Sequence, residues 1–175
     1  FNPDHPGTRI VPSNKIKDGE TRLITGIAGK KNYAIVFIEK SMMNNELGFA
    51  RKVLSAFEYY GVSFEHMPSG IYTLSVVVAD SELAGKQDLI IDKIKKDVNP
   101  DNIDITGGFS LIATVGHGMS FRRGTAARLF SSLSNNGVNI RMIDQGSSEL
   151  NIIVGVSNAD YENAIKAIYS EFFRK

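Results

Sequence analysis

Cysteine is missing from this chain of 175 residues, and so is tryptophan. Without a thiol there is no disulfide framework and no thiolate metal site. The three histidines, His5, His66 and His117, share no ligand-like spacing, so no metal is expected. Long apolar runs are lacking too: Leu74–Ala79 and Leu150–Val156 are far too short to cross a bilayer. Neither sign of charge dominates, with 20 basic residues against 19 acidic ones. That balance argues against a general nucleic-acid or anionic-membrane surface. No apolar, small-residue-terminated leader opens the chain, and the expectation is a cytoplasmic protein. A first residue Phe1 in place of Met suggests a piece cut from something longer.

What the chain does have is a repeat. Gly61-Val-Ser-Phe-Glu-His-Met-Pro-Ser-Gly70-Ile-Tyr-Thr-Leu-Ser-Val-Val-Val78 lies over Gly137-Val-Asn-Ile-Arg-Met-Ile-Asp-Gln-Gly146-Ser-Ser-Glu-Leu-Asn-Ile-Ile-Val154, a constant shift of 76 positions. The same shift sets Gly48 on Gly124, Ala50 on Ala126, Ser55 on Ser131 and Leu74 on Leu150. Self-similarity of this kind marks two copies of one supersecondary unit. An apolar fraction of 42% is enough to give them a core.

Residues 1–20 hold Pro3, Pro6 and Pro12 among Asn, Asp and Gly, and read as an extended linker. In the first copy Tyr33–Ile38 is a β-rich run. Asn44 or Asn45 can cap a helix from about Glu46 to Tyr60 whose apolar face is Leu47, Ala50, Leu54 and Phe57. Gly61 stops that helix. Val62–Met67 and Ile71–Ala79 read as a hairpin around Pro68-Ser69-Gly70. A second helix, about Lys86 to Val98, puts Ile90 or Ile91, Ile94 and Val98 inward and ends before Pro100; Ile103–Thr106 is a last strand. The order β-α-β-β-α-β is ferredoxin-like.

The second copy repeats it with strand Phe109–Val115, helix Gly124–Asn136, and strands Val138–Ile143 and Leu150–Val156. Its final helix is capped by Asn158, with Tyr161, Ile165, Ile168 and Phe172 on one side. Its fourth strand is missing, whereas Thr21–Ala28 is a β-like segment without a unit. A bare sheet edge invites wrong pairing. The expectation is therefore that this segment completes the second unit, the first being inserted within it. The fold class is α+β: two ferredoxin-like units with antiparallel sheets and helices on one face. The units would cover 29–108 and 21–28 plus 109–175.

Several stretches carry a resemblance to a known family. They are Val138–Ile152 above all, then Ile24–Ala28, Glu65–Ile71, Val115–Met119 and, at the entry, Pro6-Gly-Thr8. In this order they resemble tandem ACT domains, specifically the C-terminal regulatory region of an aspartate kinase. The resemblance covers nearly the whole chain, and the family's kinase motifs have no counterpart in it. It implies a regulatory part with no catalytic residues or cofactor of its own, attached in the full chain to a catalytic domain that uses ATP and Mg. The inserted first unit is the family's arrangement.

The residues themselves leave two readings of the first helix opening. Gly48 sits where Ala would favour a helix by about 1 kcal/mol, and the amides of Gly48, Phe49 and Ala50 point along the positive helix end, a place for a carboxylate. Equally, an Asn44 or Asn45 cap would occupy those amides, with Gly48 only permitting packing. The resemblance favours the first reading. It implies an effector amino acid between this opening and the next strand, touching Met43, Gly48, Phe49, Ala50, Phe64 and Glu65, with Asn139 and Ile140 as contributions from a partner unit. Glu65 would hold a lysine ammonium, whereas the matching Arg141 would repel one. L-Lysine is the expected effector and L-threonine the alternative, because Glu46 and Ile71 depart from the lysine-sensitive pattern. A homodimer through the ACT units is expected; nucleic acid and membrane are not.

Three further signals weigh less. Gly116-His-Gly118 before Arg122, Arg123 and Gly124 lacks the Lys-Ser/Thr ending of a phosphate-binding loop. Lys30-Lys31 and the Lys93, Lys95, Lys96 cluster read as solvated faces, and Tyr59-Tyr60 as an interface or half-buried pair. Two other functions share the element order: an RNA-binding sheet, which needs exposed stacking aromatics, and an acylphosphatase-like enzyme, which needs an Arg loop with a neighbouring Asn.

Overall fold

The computed structural model describes residues 22–173; the 1–20 linker lies outside the described residues. One antiparallel sheet of five strands runs in the order β2-β1-β3-β5-β4. The strands are β1 (Gly26–Glu39), β2 (Thr73–Ala79), β3 (Asn102–Val115), β4 (Met142–Asp144) and β5 (Asn151–Ser157). The helices are α1 (Phe49–Tyr59), the single turn α2 (Asp80–Leu83), α3 (Gln87–Val98), α4 (Thr125–Asn135) and α5 (Tyr161–Phe173). The class is α+β with an antiparallel sheet, as the patterning implies.

β1 and β3 are long, 14 residues each, and pair toward both ends, with a break in register between Lys30 and Ile35. Their two ends serve different cores. Tyr33–Glu39 of β1 pairs with β2, whereas Gly26–Lys30 pairs with Leu111–Val115, which in turn pairs with β5. The repeat's two halves are thus joined in one ladder and not built as separate sheets. The end of the segment that lacked a unit, Gly26–Ala28, and the run Tyr33–Ile38 belong to one strand. Lys30-Lys31-Asn32 looked like a break because it is polar. The strand nonetheless runs on through an irregularity between Lys30 and Ile35, where Asn32, at φ 67°, donates its N–H to Asn158 Oδ1 and not to the ladder.

Alternate side chains on the strands separate the cores. Ala34, Val36 and Ile38 with Leu74, Val76 and Val78 pack under Phe49, Val53, Phe57, Ile90 and Ile94. Ile112, Ile152, Val154 and Val156 pack under Leu129, Leu133, Ala164 and Ile168, together with Ile24 and Met119. The opposite strand faces meet in a small third cluster of Tyr33, Val77 and Phe109. Ile24 within the second core and the bond from Thr25 N–H to the Val115 carbonyl (2.8 Å) place the entering chain beside the second copy.

Local differences from expectation have identifiable causes. α1 begins at Phe49, not near Glu46, because Met43–Asn45 forms a separate 3₁₀ turn and Gly48 adopts φ 75°. Leu47, expected inward, is therefore 94% exposed, and the buried face is Phe49, Val53, Ala56 and Phe57. Val62–Met67 makes only one isolated bridge to β2, at His66 with Val77, and the next, Ser69 with Leu74, falls in the turn beyond it; Pro68 between them has no N–H to give. In the second copy the strand shortens to Met142–Asp144. The loop between the copies disappears too, since Ile103–Thr106 and Phe109–Val115 are the two ends of β3. Asn158 does not cap α5. Ser157 Oγ and Asp160 bond each other there, and Asn158 turns toward Ser110 and Asn32.

Candidate functional site

The opening of α1, the 3₁₀ turn before it and the chain leading into β2 border a cavity of about 330 Å3. Met43, Gly48, Phe49 and Ala50 line it together, and Asn44, Glu46, Arg51, Met67, Ser69, Gly70 and Leu74 complete it. Met43 and Phe49 are buried and anchor its floor to the first core. Gly48 is the residue before the helix, in the left-handed region that glycine occupies without a Cβ penalty. No side chain caps this helix; Asn44 and Asn45 lie in the 3₁₀ turn. Among the described residues the amides of Ala50 and Arg51 have no hydrogen-bond partner, while Lys52 N–H makes the first helical bond, to the Gly48 carbonyl at 2.9 Å. Of the two readings of the opening, the one with side-chain caps is not the one observed.

Charge at the mouth is organised around Glu46. Its carboxylate lies 2.6 Å from Lys40 Nζ and 2.8 Å from Lys52 Nζ. These hydrogen bonds, that of Lys40 foremost, hold the Glu46 carboxyl below the usual carboxylate range. Lys40 also donates to the Val98 carbonyl, at the end of α3. Arg51 folds back over Gly48: a Cβ at Gly48 would stand 3.7 Å from Arg51 Nε.

The other sequence-derived site residues lie apart from this cavity within the chain. Phe64, 44% exposed, lines a separate groove of about 650 Å3 against Arg51, Leu54, Glu58 and Val62. Glu65 bonds the Val77 carbonyl through its amide and sets its carboxylate 3.6 Å from Lys30 Nζ. Asn139 is exposed between α4 and β4, and Ile140 packs on the second core. Lys30, read from sequence as solvated, is 65% exposed, and Lys31, read likewise, sets its Nζ 2.5 Å from Glu162 Oε1.

The second copy carries the same cavity. Met119, Gly124, Thr125, Ala126 and Gln145 line a space of about 380 Å3 and are the shifted counterparts of Met43, Gly48, Phe49, Ala50 and Ser69. Gly124 also has a positive φ, 85°. Sequence reasoning overlooked Met67, Ser69, Gly70 and Arg51; the 76-residue shift pairs Ser69 with Gln145 and Arg51 with Ala127, both of which line the second space. The chemistry differs between copies, since Arg122 stands where Glu46 does and Ala127 where Arg51 does. Arg122 and Arg123 border this second space, and Glu149 Oε2 accepts the Phe121 amide at 2.6 Å. Among the described residues no group of three or more His, Asp or Glu is placed to hold a metal, and no helix is long and apolar enough to cross a membrane.

Comparison with known proteins agrees with this geometry. Residues 112–172 match the ACT domain. Aspartokinase 3 of Bacillus subtilis is 36% identical over 173 residues, spanning 98% of this chain and 37% of that protein. The solved structure of aspartate kinase from Clostridium acetobutylicum superposes with a TM-score of 0.83 at 57% identity, covering 85% of this chain and 34% of the other. Aspartokinase III of E. coli, solved in complex with lysine and aspartate, has the same fold at a TM-score of 0.71 and 21% identity, over 90% of this chain and 35% of that one. The chain thus spans about a third of the length of these relatives.

Proposed function

Since the chain resembles the ACT-bearing regulatory region of aspartokinases, we propose that it is the amino-acid-sensing part of such an enzyme. The full protein would phosphorylate L-aspartate with ATP and Mg, in the cytoplasm, on a catalytic domain that the matched third does not include. The observation that carries this reading is the cavity at Gly48, where uncapped helix amides, a ring of apolar side chains and a controlled set of charges meet. That combination suits a small zwitterion: amides and cations for a carboxylate, apolar walls for a side chain, a carboxylate for an ammonium.

L-Lysine is the effector we favour, and L-threonine the alternative. The E. coli relative was solved with lysine, which supports the choice at the level of fold. Glu65 would meet the ligand only across an interface between copies, because within one chain its carboxylate faces Lys30. The exposed Phe64 groove beside it is in keeping with a homodimer through the first unit, and Asn139 and Ile140 would act from a partner unit. Residues 29–108 then form the first ACT unit and 21–28 with 109–175 the second; the pairing of Gly26–Lys30 with Leu111–Val115 supports that division. The RNA-binding alternative is disfavoured, since two of the aromatics on the inter-copy face of the central strands, Tyr33 and Phe109, are buried at 3% and 0% exposure, and the third, Phe37, is half-buried.

Bound effector would regulate the kinase only through a difference in affinity between its two states. Calorimetry with L-lysine and L-threonine tests the proposal, with Glu65→Gln as the variant. We expect saturable binding of one of them, and a loss of about tenfold or more for lysine on removing the charge, roughly 1.5–3 kcal/mol. Absence of binding by both, or an unchanged lysine affinity in the variant, contradicts the respective claim.

A further inference from the structure

We propose that Arg51 reads the ligand's carboxylate in the first cavity and restricts that cavity to ligands that carry one. The inference rests on the amino-acid reading above and adds a residue and a selection rule to it. Arg51 stands between this cavity and the Phe64 groove, with guanidinium Nε and Nη2 3.7 and 3.9 Å from the place of a Gly48 side chain. Among the described residues its guanidinium has no ion pair and no hydrogen bond; the Ser55 hydroxyl bonds its backbone carbonyl instead.

The charge around the cavity is out of balance. Lys40 and Lys52 gather about one carboxylate, Glu46, and occupy both of its oxygens, while Arg51 borders the same cavity. Arg51 is left over, in the first turn of α1, where the helix's own positive end disfavours a cation. An incoming carboxylate resolves this. Its two oxygens can take the planar fork of the guanidinium side by side, a match to carboxylate geometry that an ammonium lacks. Their remaining lone pairs can accept from the unpartnered amides of Ala50 and Arg51. A ligand with amines alone would meet the same cations as repulsion. The second copy has Ala127 at this position, so the rule belongs to the first cavity.

The test titrates the 175-residue chain with two matched pairs, L-lysine with 1,5-diaminopentane and L-threonine with 1-amino-2-propanol, which differ within each pair by the carboxylate alone. The unsubstituted chain is expected to prefer the amino acid by at least about tenfold, and Arg51→Gln to remove most of that preference by weakening the amino acid and not the amine. Arg51→Lys, which keeps the charge and loses the fork, should fall between. Arg51 is exposed, so the melting temperature should stay unchanged and serves as the check on folding. An Arg51→Gln chain that binds its amino acid as tightly as the parent overturns the inference and leaves the amino-acid reading standing. Failure of the parent chain to bind either amino acid overturns that reading, and this one with it.

Discussion

Ser110 Oγ, fully buried on β3, donates a hydrogen bond of 2.6 Å to Asn158 Oδ1, just before α5. Asn158 Nδ2 reaches on to Asn32 Oδ1 at 3.1 Å, at the irregularity in β1 where the two copies join. One side chain thus ties both long strands at their shared bend. Asn158→Ala would leave a buried hydroxyl unpaired, and a loss of about 1–3 kcal/mol is expected in denaturant unfolding. A loss under about 0.5 kcal/mol would show that the junction does not depend on it.

Gly48 at φ 75° predicts a second effect. Gly48→Ala should cost about 1–2 kcal/mol through left-handed strain, since only contacts with Arg51 of 3.7 Å or more await the new Cβ. Gly48→Asn, whose side chain tolerates this region, should cost less. Equal unfolding midpoints for parent, Ala and Asn variants would remove the conformational argument.

The entry segment gives a third. A Cβ on Gly116 would stand 2.2 Å from the Leu23 carbonyl oxygen, and one on Gly118 2.5 Å from that of Arg22. These are backbone atoms, so something must shift. Gly118→Ala is expected to destabilise by about 1–3 kcal/mol and to lift residues 22–25 off the turn. Hydrogen exchange should report it as lost protection at Thr25 N–H, which bonds the Val115 carbonyl. Unchanged protection there would contradict the close approach.

Acid stability follows from three carboxyls held low: Glu46 by Lys40 and Lys52, Asp101 by Ser41, and Glu162 by Lys31. Depressed folded values mean a contribution that is present above the unfolded pKa, about 4, and is lost as pH falls through the folded value. Glu46→Gln should therefore lower the melting temperature at pH 7, and the gap from the parent should narrow below about pH 4. A gap that widens on acidification has the wrong sign for this account.

The doubling, the helices and most of the two cores were legible in the sequence, because apolar spacing and a constant shift survive in each copy. The ends of elements were less so. Leu47 fits the helical period but falls before Gly48, whose positive φ starts the helix later than spacing alone suggests. The continuity of β1 through Lys30-Lys31-Asn32 was hidden because a ladder is held by backbone groups that carry no side-chain signature. Of the candidate site, Met43, Gly48, Phe49 and Ala50 do come together. Arg51 escaped notice because its role depends on a fold-back over Gly48 that periodicity does not encode.

The most direct measurement is an amide NMR titration of the chain with L-lysine, and in parallel with L-threonine. The account predicts saturable shifts concentrated on Gly48, Phe49, Ala50 and Arg51, with Gly124 to Ala127 moving less under lysine. Shifts confined to the second opening, or none at either with both amino acids, would contradict it.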